Sequence, residues 1–283
     1  MDIAVAEKRD TAAASGALRV AIAGYGAIGH AVARRLDAGV PGLALAAVAS
    51  RNVERVRAAT ADFRNPPPVE SLARLAELAD IVLECLPAAA FMEVAEPTLR
   101  AGRTLVVASV GQLLAQPQLK NLAVRHGGRI LVPTGALIGL DAVTAAAEGE
   151  IRSVKLVTRK PPKGLVGAPH LVTNKIDVEA MTVPTMVFSG TAREAVKGFP
   201  ANVNVAAALS LAGIGPDRTT IEVWADPTLN RNKHTIVVDA DSAQFSMTIE
   251  NVPTEENPRT GKITALSVIA CLRKLASPVR IGT

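Results

Sequence analysis

The chain has 283 residues, of which 49% are hydrophobic and 20% are charged, and its formal net charge is +5. This length and composition can supply one large domain or two ordinary domains with substantial cores. Two cysteines, Cys85 and Cys271, exclude a disulfide scaffold and a cysteine-rich metal site, and they fit a reducing cytoplasm. Few aromatic residues and dispersed basic charge argue against nucleic-acid binding, and no apolar run is long enough for a membrane span.

A glycine cluster lies between a predicted strand and a predicted helix in the stretch RVAIAGYGAIGHAVARRL. Continuous apolar residues at 20–23 predict a strand that is buried on both faces. In the spacing G-x-G-x-x-G, Gly24 permits a tight turn, Gly26 lets a diphosphate approach the backbone, and Gly29 lets the helix pack closely. We interpret this motif as a dinucleotide site with the diphosphate at the helix N-terminus, the alternative being a glycine-rich turn without a ligand. Its predicted cofactor contacts are Gly24, Gly26, Ala27, Ile28 and Gly29.

Four further apolar runs predict strands at residues 43–50, 80–87, 104–111 and 129–133, with helical patterns between most of them. This alternation predicts a doubly wound parallel sheet, which binds ligands at the carboxyl ends of its strands. We therefore expect backbone contacts to ribose or nicotinamide where two of these strands end. The expected residues are Cys85, Leu86, Pro87, Ser109, Val110 and Gly111.

From about residue 134 the pattern changes to short β-rich runs, several of them alternating, with one helix-like stretch that ends in glycine. It predicts a second α+β domain with a mixed or antiparallel sheet, in which Thr191 and Glu194 have the spacing of a helix capping box. A final amphipathic helix is expected to return to the first domain. The predicted parts are a flexible tail (1–16), a dinucleotide-binding domain (17–133, completed by a C-terminal helix, 258–283) and a substrate-binding and dimerisation domain (134–257).

A dinucleotide domain joined to a substrate domain suggests hydride transfer, which also needs an acid or base. Among the four histidines, His30 is expected on an exposed helix face and His126 at a helix end, while the pattern leaves His170 undecided. His234 lies where a polar segment meets a strand, so the strand could hold it rigidly while a loop admits substrate. Position alone leaves a structural role for His234 open.

Seven stretches resemble the L-aspartate dehydrogenase family over nearly the whole chain after the tail: GYGAIG, VPTGALIGLDAV, TRKPP, FPANVNVAAALSLAG, TIEVWADP, NRNKH and IENVPTEENPRTGKITALSVIACLR. The resemblance implies a Rossmann domain and a mixed α/β domain that pairs subunits into a homodimer. It also implies oxidative deamination of L-aspartate with NAD or NADP, through iminoaspartate to oxaloacetate and ammonium. A further implication is a place in NAD biosynthesis, with iminoaspartate handed over to quinolinate synthase.

The resemblance also assigns site residues. The family's active-site histidine corresponds to His234, and we expect this imidazole to titrate near neutrality in the pH dependence of the reaction. Ala136 and Asn204 correspond to family positions that contact the cofactor near its nicotinamide end. Arg159 and Lys160 could meet a substrate carboxylate, although a solvated strand end is an alternative. The expected substrate-binding residues are Thr134, Arg159, Lys160 and Asn232.

The choice of cofactor depends on the end of the second strand. Dinucleotide folds that prefer NAD commonly place Asp or Glu there for the ribose hydroxyls, whereas this chain has Ser50 and Arg51. The guanidinium could pair with the 2′-phosphate of NADP. The alternative is that Arg51 lies flat over the adenine of either cofactor.

Two other functions stay open at this stage. One is a related NAD(P)-dependent reductase of another imine, amino or keto acid, because a fold does not fix its substrate. The other is a cofactor-binding regulatory protein without turnover. The sequence has no H-E-x-x-H, G-x-S-x-G or phosphate-loop motif, so we expect no metal and no hydrolase chemistry.

Overall fold

The computed structural model describes residues 16–200, 204–255 and 260–282. The flexible tail predicted for residues 1–16 therefore lies outside the described residues, except for Gly16. Within these ranges no helix combines the length and the apolar character that a membrane crossing requires.

The first sheet has five parallel strands: β1 (Leu18–Ala23), β2 (Leu43–Ala49), β3 (Ile81–Glu84), β4 (Thr104–Val107) and β5 (Arg129–Leu131). Their order is β2-β1-β3-β4-β5, so the chain changes direction across the sheet between β1 and β3. Ligands of such sheets bind at that switch point, outside the carboxyl ends of the strands. All residues of β3 are buried, as expected for a strand with helices on both sides.

Six helices connect or follow these strands: α1 (Ala27–Asp37), α2 (Val53–Ala59), α3 (Leu75–Leu78), α4 (Phe91–Arg100), α5 (Gly111–Ala115) and α6 (Gln118–His126). Alternate side chains of the sheet belong to separate clusters on its two faces. On one face Val20 packs with Val32 of α1. On the other, Ala21 packs with Leu75 of α3 and Val94 of α4. The predicted doubly wound parallel sheet is confirmed.

The second sheet is mixed and also has five strands: β6 (Ile151–Lys160), β7 (Thr185–Thr191), β8 (Thr219–Ala225), β9 (Asn232–Ala240) and β10 (Gln244–Asn251). Their order is β10-β9-β6-β8-β7, and only the β6 and β8 pair is parallel. Burial alternates strictly along β8, so one face of this sheet packs on the core and the other does not. The second sheet predicted from the alternating runs is confirmed.

Four helices belong to this second part: α7 (Leu140–Ala146), α8 (Pro169–Thr173), α9 (Ala192–Gly198) and α10 (Asn204–Ala212). The capping box predicted at the start of α9 is present. The Thr191 hydroxyl accepts from the Glu194 N–H at 3.2 Å, and the Glu194 carboxylate accepts from the Thr191 N–H at 2.8 Å. The long apolar face of α10 supplies Leu209 and several alanines to the core under the sheet.

The last helix, α11 (Lys262–Ala276), packs against the first sheet rather than the second. Its buried residues Val268 and Leu272 join the cluster that contains Val20 and Val32. The helix is shorter than the 258–283 segment of the sequence prediction, since it begins at Lys262 and ends at Ala276. The first core is therefore built from both ends of the described chain.

Candidate active site

A cavity of about 140 Å³ lies between the two sheets. The first part of the chain lines it with the start of α1 and with the segments that follow β4 and β5. The second part contributes the ends of β6, β9 and β10 and the start of α10, and α11 closes the wall. The predicted site residues that line this cavity are Ile28, Val110, Thr134, Ala136, Lys160, Asn204, Asn232 and His234.

The glycine turn after β1 has the geometry that a dinucleotide requires. Gly24 has φ of +103°, and a Cβ there would lie 2.5 Å from the Cys85 carbonyl oxygen. A Cβ on Gly29 would collide with the carbonyl oxygen of Gly24. At Gly26, by contrast, a Cβ would meet no atom within 4 Å, and no side chain of the described residues caps α1 there. The N-terminus of α1 is therefore open beside Gly26, which leaves room for a bound diphosphate.

A buried carboxylate joins the two segments that follow β3 and β4. Glu84 is fully buried, and its carboxylate accepts from the N–H of Leu86 at 2.7 Å. It also accepts from the N–H of Ser109 at 3.0 Å and from the Ser109 hydroxyl at 2.9 Å. Burial raises the pKa of Glu84, and these hydrogen bonds oppose that shift. Sequence reasoning missed Glu84, although a charged residue inside the apolar run IVLECLP was a usable signal.

The thiol of Cys85 lies behind the glycine turn. Its Sγ donates to the carbonyl oxygens of Ala23 and Gly24, both at 3.3 Å. Burial raises the pKa of Cys85, so the group stays a thiol. Cys85 is therefore suited to packing rather than to nucleophilic chemistry. Pro87 follows as the residue that precedes a short 3-10 turn leading into α4.

A hydrogen bond between α5 and α10 joins the two parts of the chain beside the cavity. The N–H of Gly111, at the start of α5, donates to Oδ1 of Asn204, at the start of α10, at 3.1 Å. A Cβ on Gly111 would lie 3.5 Å from the same oxygen. The predicted cofactor contacts Gly111 and Asn204 are thus neighbours, although 93 residues separate them in the sequence.

His234 is buried on the inner face of β9, where it pairs with Thr158 of β6 on one side and Ile249 of β10 on the other. Its Nδ1 lies 3.1 Å from the hydroxyl oxygen of Thr158. Burial and, to a smaller extent, the positive charge of Lys160 together lower the pKa of His234 to about 3. The imidazole is thus neutral across the physiological range, which corrects the expectation that it titrates near neutrality.

The two cations of TRKPP point to opposite faces of β6. Lys160 is 4% exposed and lines the cavity on the same face as Thr158. Arg159 lies on the other face, with its guanidinium 4.5 Å from the Trp224 ring centre and 3.5 Å from a carboxylate oxygen of Asp226. The structure therefore does not bring Arg159 to the cavity, because adjacent residues of a strand alternate between its faces. The predicted substrate contact of Arg159 is therefore corrected, whereas Lys160 lines the cavity and its substrate contact stays a prediction.

Asn251 is a cavity residue that sequence reasoning missed. It ends β10 directly opposite Asn232 of β9, and it is 3% exposed. Its Nδ2 donates to the carbonyl oxygen of Ala136 at 3.0 Å. Its Oδ1 is buried and has no hydrogen-bond partner among the described residues. The signal available in the sequence was a polar residue in the inward position of an alternating strand.

The other histidines lie away from the cavity. His30, on α1, packs on the Tyr25 ring with 5.5 Å between ring centres. His126 is the last residue of α6. His170, which the sequence left undecided, lies in α8 and packs against the ring of Phe199. Across the described ranges, His, Cys, Asp and Glu side chains form no group of three or more suited to a metal ion.

Ser50 and Arg51 follow β2, beside the glycine turn, because the N–H of Gly24 donates to the carbonyl oxygen of Ala49 at 2.8 Å. The Ser50 hydroxyl accepts from the N–H of Asn52 at 3.3 Å, and Asn52 caps α2. Arg51 is exposed at this strand end. The end of the second strand is where dinucleotide folds bind the adenosine ribose.

A doubly wound sheet with this glycine turn, facing a mixed sheet across a cavity that holds a neutral histidine, defines a two-domain NAD(P)-dependent dehydrogenase. The family model of the aspartate dehydrogenase C-terminal region matches residues 141–275, and that of the homoserine dehydrogenase NAD-binding domain matches residues 24–133. The chain belongs to the aspartate dehydrogenase family.

Its relatives match over nearly their whole lengths. An L-aspartate dehydrogenase of Bradyrhizobium diazoefficiens is 57% identical over 95% of this chain and 96% of its own. L-aspartate dehydrogenase 3 of Bordetella bronchiseptica is 55% identical over 94% of this chain and 98% of its own. The crystal structure of aspartate dehydrogenase from Thermotoga maritima has the same fold, with a TM-score of 0.74 at 22% identity over 94% of this chain and 99% of its own.

We predict that Gly26→Val blocks cofactor binding while the protein stays folded. The open space beside Gly26 would then hold a branched side chain where the diphosphate must approach the backbone. Calorimetric titration with NAD and NADP measures the loss, and circular dichroism checks the fold. Tight cofactor binding by the folded variant would contradict the diphosphate position.

Replacing Arg51 with alanine should weaken NADP more than NAD. If the guanidinium pairs with the 2′-phosphate, the lost charge-assisted hydrogen bond costs roughly 1.5–3 kcal/mol for NADP alone. The measurement is the dissociation constant of each cofactor for the wild type and for the variant. Equal losses for NAD and NADP would instead leave Arg51 stacked over the adenine.

The low pKa of His234 should make folding less stable as the pH falls. An unfolded histidine titrates near pH 6.5 and the folded one at about 3, so between these values the unfolded state binds more protons. Between pH 7.5 and 5.0 this group alone should cost about 2 kcal/mol of unfolding free energy. His234→Asn keeps a polar side chain beside Thr158 but does not titrate, so its urea-unfolding stability should fall less over that range. Identical pH slopes for the two proteins would show that His234 is not held neutral.

Proposed function

We propose that this protein catalyses the oxidative deamination of L-aspartate with NAD or NADP, through iminoaspartate to oxaloacetate and ammonium. The observation that carries the proposal is a buried, neutral His234 beside the buried cation of Lys160, in a cavity at the carboxyl edge of the dinucleotide-binding sheet. The close relationship to L-aspartate dehydrogenases supports aspartate as the substrate.

Lys160 holds a substrate carboxylate in this proposal. An ammonium group that is 4% exposed gains more from pairing with an anion than a solvated one does. Thr134 and Asn232 line the same cavity and offer a hydroxyl and an amide to the remaining polar groups of the substrate. The dicarboxylate is thereby oriented with its Cα hydrogen toward the cofactor side of the cavity.

On the cofactor side, Asn204 and Ala136 border the nicotinamide end, and Gly24, Gly26 and Gly29 hold the diphosphate end. When bound, the nicotinamide accepts the hydride from the substrate Cα. The segments after β3 and β4 border the cofactor between these ends, and Glu84 fixes their relative position through three hydrogen bonds.

His234 then acts on water. Thr158 accepts from Nδ1–H in the productive tautomer, which leaves the lone pair on Nε2. Nε2 takes a proton from the water that adds to the imine carbon of iminoaspartate, and it returns a proton to the departing nitrogen. The products are oxaloacetate and ammonium.

We propose the same division of labour at the level of domains. Residues 17–133 and the C-terminal segment 258–283 bind the dinucleotide, and residues 134–257 bind substrate and pair two subunits. The outer face of the second sheet supports the pairing, because it carries Val237 at 40% and Met186 at 47% exposure. They lie on β9 and β7, with the Lys155–Glu222 ion pair on the strands between them, and such a mixture of apolar and charged groups is compatible with a subunit contact.

The cellular setting is part of the proposal. Iminoaspartate that leaves before hydrolysis would pass to quinolinate synthase and so feed NAD biosynthesis. Two cysteines, neither in a disulfide, fit a reducing cytoplasm.

The first test is turnover. We expect L-aspartate to be the preferred substrate in a panel of amino and keto acids assayed with both cofactors. His234→Ala should lower kcat roughly 10²–10⁴-fold, the usual range for a positioned proton-transfer group. Its cofactor dissociation constants should not change, because the diphosphate is held at the glycine turn. A wild type that ignores aspartate but reduces another imine or keto acid would contradict the substrate, and full turnover by His234→Ala would contradict the mechanism.

The second test concerns assembly. Val237→Lys should convert a dimer into a monomer in size-exclusion chromatography with light scattering, since an ammonium group would be buried at the interface. Val124→Lys is the matched control, because Val124 is 77% exposed on α6 of the other domain. A dimer that survives Val237→Lys would place the subunit contact elsewhere.

A further inference from the structure

The amide oxygen of Asn251 is buried beside the cavity. Oδ1 of Asn251 has no hydrogen-bond donor among the described residues, and the residue is 3% exposed. A buried acceptor left without a donor costs on the order of 1–3 kcal/mol, so such atoms are rare in native proteins and call for an explanation such as a bound donor. Asn251 also lines the cavity beside Asn232 and His234.

The orientation of this amide is fixed by its other end. The carbonyl oxygen of Ala136, 3.0 Å from Nδ2, can only accept a hydrogen bond. The amide must therefore present its NH₂ group to Ala136, which leaves Oδ1 as the free atom. On that side the backbone of Gly261 comes so close that a Cβ there would lie 3.1 Å from Oδ1. Glycine at this position keeps the space beside the oxygen open.

The strand register places Asn251 within the proposed substrate site. It pairs with Asn232 across β10 and β9, and His234 lies two residues further along β9 on the same inward face. Lys160, at the end of the neighbouring β6, lines the same space. The cavity thus contains the ammonium group of Lys160, which can pair with a carboxylate. It also contains the Asn251 oxygen, which requires a hydrogen-bond donor.

Only one group of an amino dicarboxylic acid fits this acceptor. Ionised carboxylates accept hydrogen bonds and donate none, whereas an amino group donates up to three. We propose that Asn251 Oδ1 binds the amino group of the substrate and thereby selects amino acids over dicarboxylates that lack it. The inference rests on the proposed function and adds a specificity-determining residue to it. A site built to hydrogen-bond a substrate N–H discriminates strongly against an analogue without one, because the buried acceptor is then left unpaired.

The test compares two ligands that differ only in the amino group. L-aspartate and succinate are titrated by calorimetry into enzyme saturated with reduced cofactor, where aspartate cannot be oxidised. Asn251→Leu keeps a similar volume and removes the acceptor, so aspartate binding should weaken roughly 10-fold to 100-fold while succinate binding changes less than about threefold. Asn251→Asp restores an acceptor and should retain the preference for aspartate. Asn174 is an exposed asparagine after α8, and Asn174→Ala is the matched control. This variant should change the affinity for neither ligand.

Three results would overturn the inference while aspartate oxidation by the wild type stands. Equal weakening of aspartate and succinate in Asn251→Leu would mean that the side chain only shapes the cavity. A selective loss of affinity for the reduced cofactor would assign the donor to the carboxamide of nicotinamide. Unchanged aspartate binding would remove any role for Oδ1. If Asn251→Leu does not fold, Asn251→Ala answers the same questions.

Failure of the proposed function looks different. A wild type that neither oxidises nor binds aspartate would overturn the substrate assignment itself, whatever the variants do. The inference would then fall with the proposal on which it rests.

Discussion

The chemistry of the cavity depends on how one ammonium group and one imidazole share a buried space. Burial keeps His234 neutral, and the charge of Lys160 reinforces that effect. The same charge is what a substrate carboxylate would neutralise. Once an anion pairs with Lys160, the field that opposes protonation of His234 weakens, so the pKa of the imidazole rises. In the proposed mechanism, substrate binding and the basicity of His234 are therefore coupled through Lys160, and water meets the stronger base only when substrate is in place.

Sequence patterns predicted the first domain well because its signals are local. Each of these signals lies within a short segment: the glycine spacing, a continuous apolar run or an intervening helix. The spacing of apolar residues and the turn-forming glycines are therefore enough to predict them. The lengths of the strands were overestimated. The run at residues 80–87, for example, forms a strand only over Ile81–Glu84. The residues after the strand are apolar because they pack behind the glycine turn, as Cys85 does, and not because they pair.

The cavity was harder to predict because it depends on register between distant strands. Arg159 and Lys160 are adjacent cations, and only the pairing of Thr158 with His234 decides which of them faces inward. Asn251 is paired with Asn232 and bonded to Ala136, which lies 115 residues earlier. No periodicity within one segment reveals such a contact. The resemblance to a known family supplied His234, Ala136 and Asn204, but it gave no role to Glu84 or Asn251.

The position of α11 has a consequence for how the protein is made. Val268 and Leu272 complete a core whose other members include Val20 and Val32, and the Ser267 hydroxyl accepts from the N–H of Gly135 at the cavity wall. On the ribosome, the parallel sheet emerges before the helix that covers one of its faces, and the five strands of the second sheet are synthesised in between. Contacts between residues that are far apart in the sequence form late, and they make folding slow. Until they form, the nascent sheet is exposed to aggregation. The core beside α1 is therefore complete only after the second sheet has been synthesised, because α11 follows β10 in the chain.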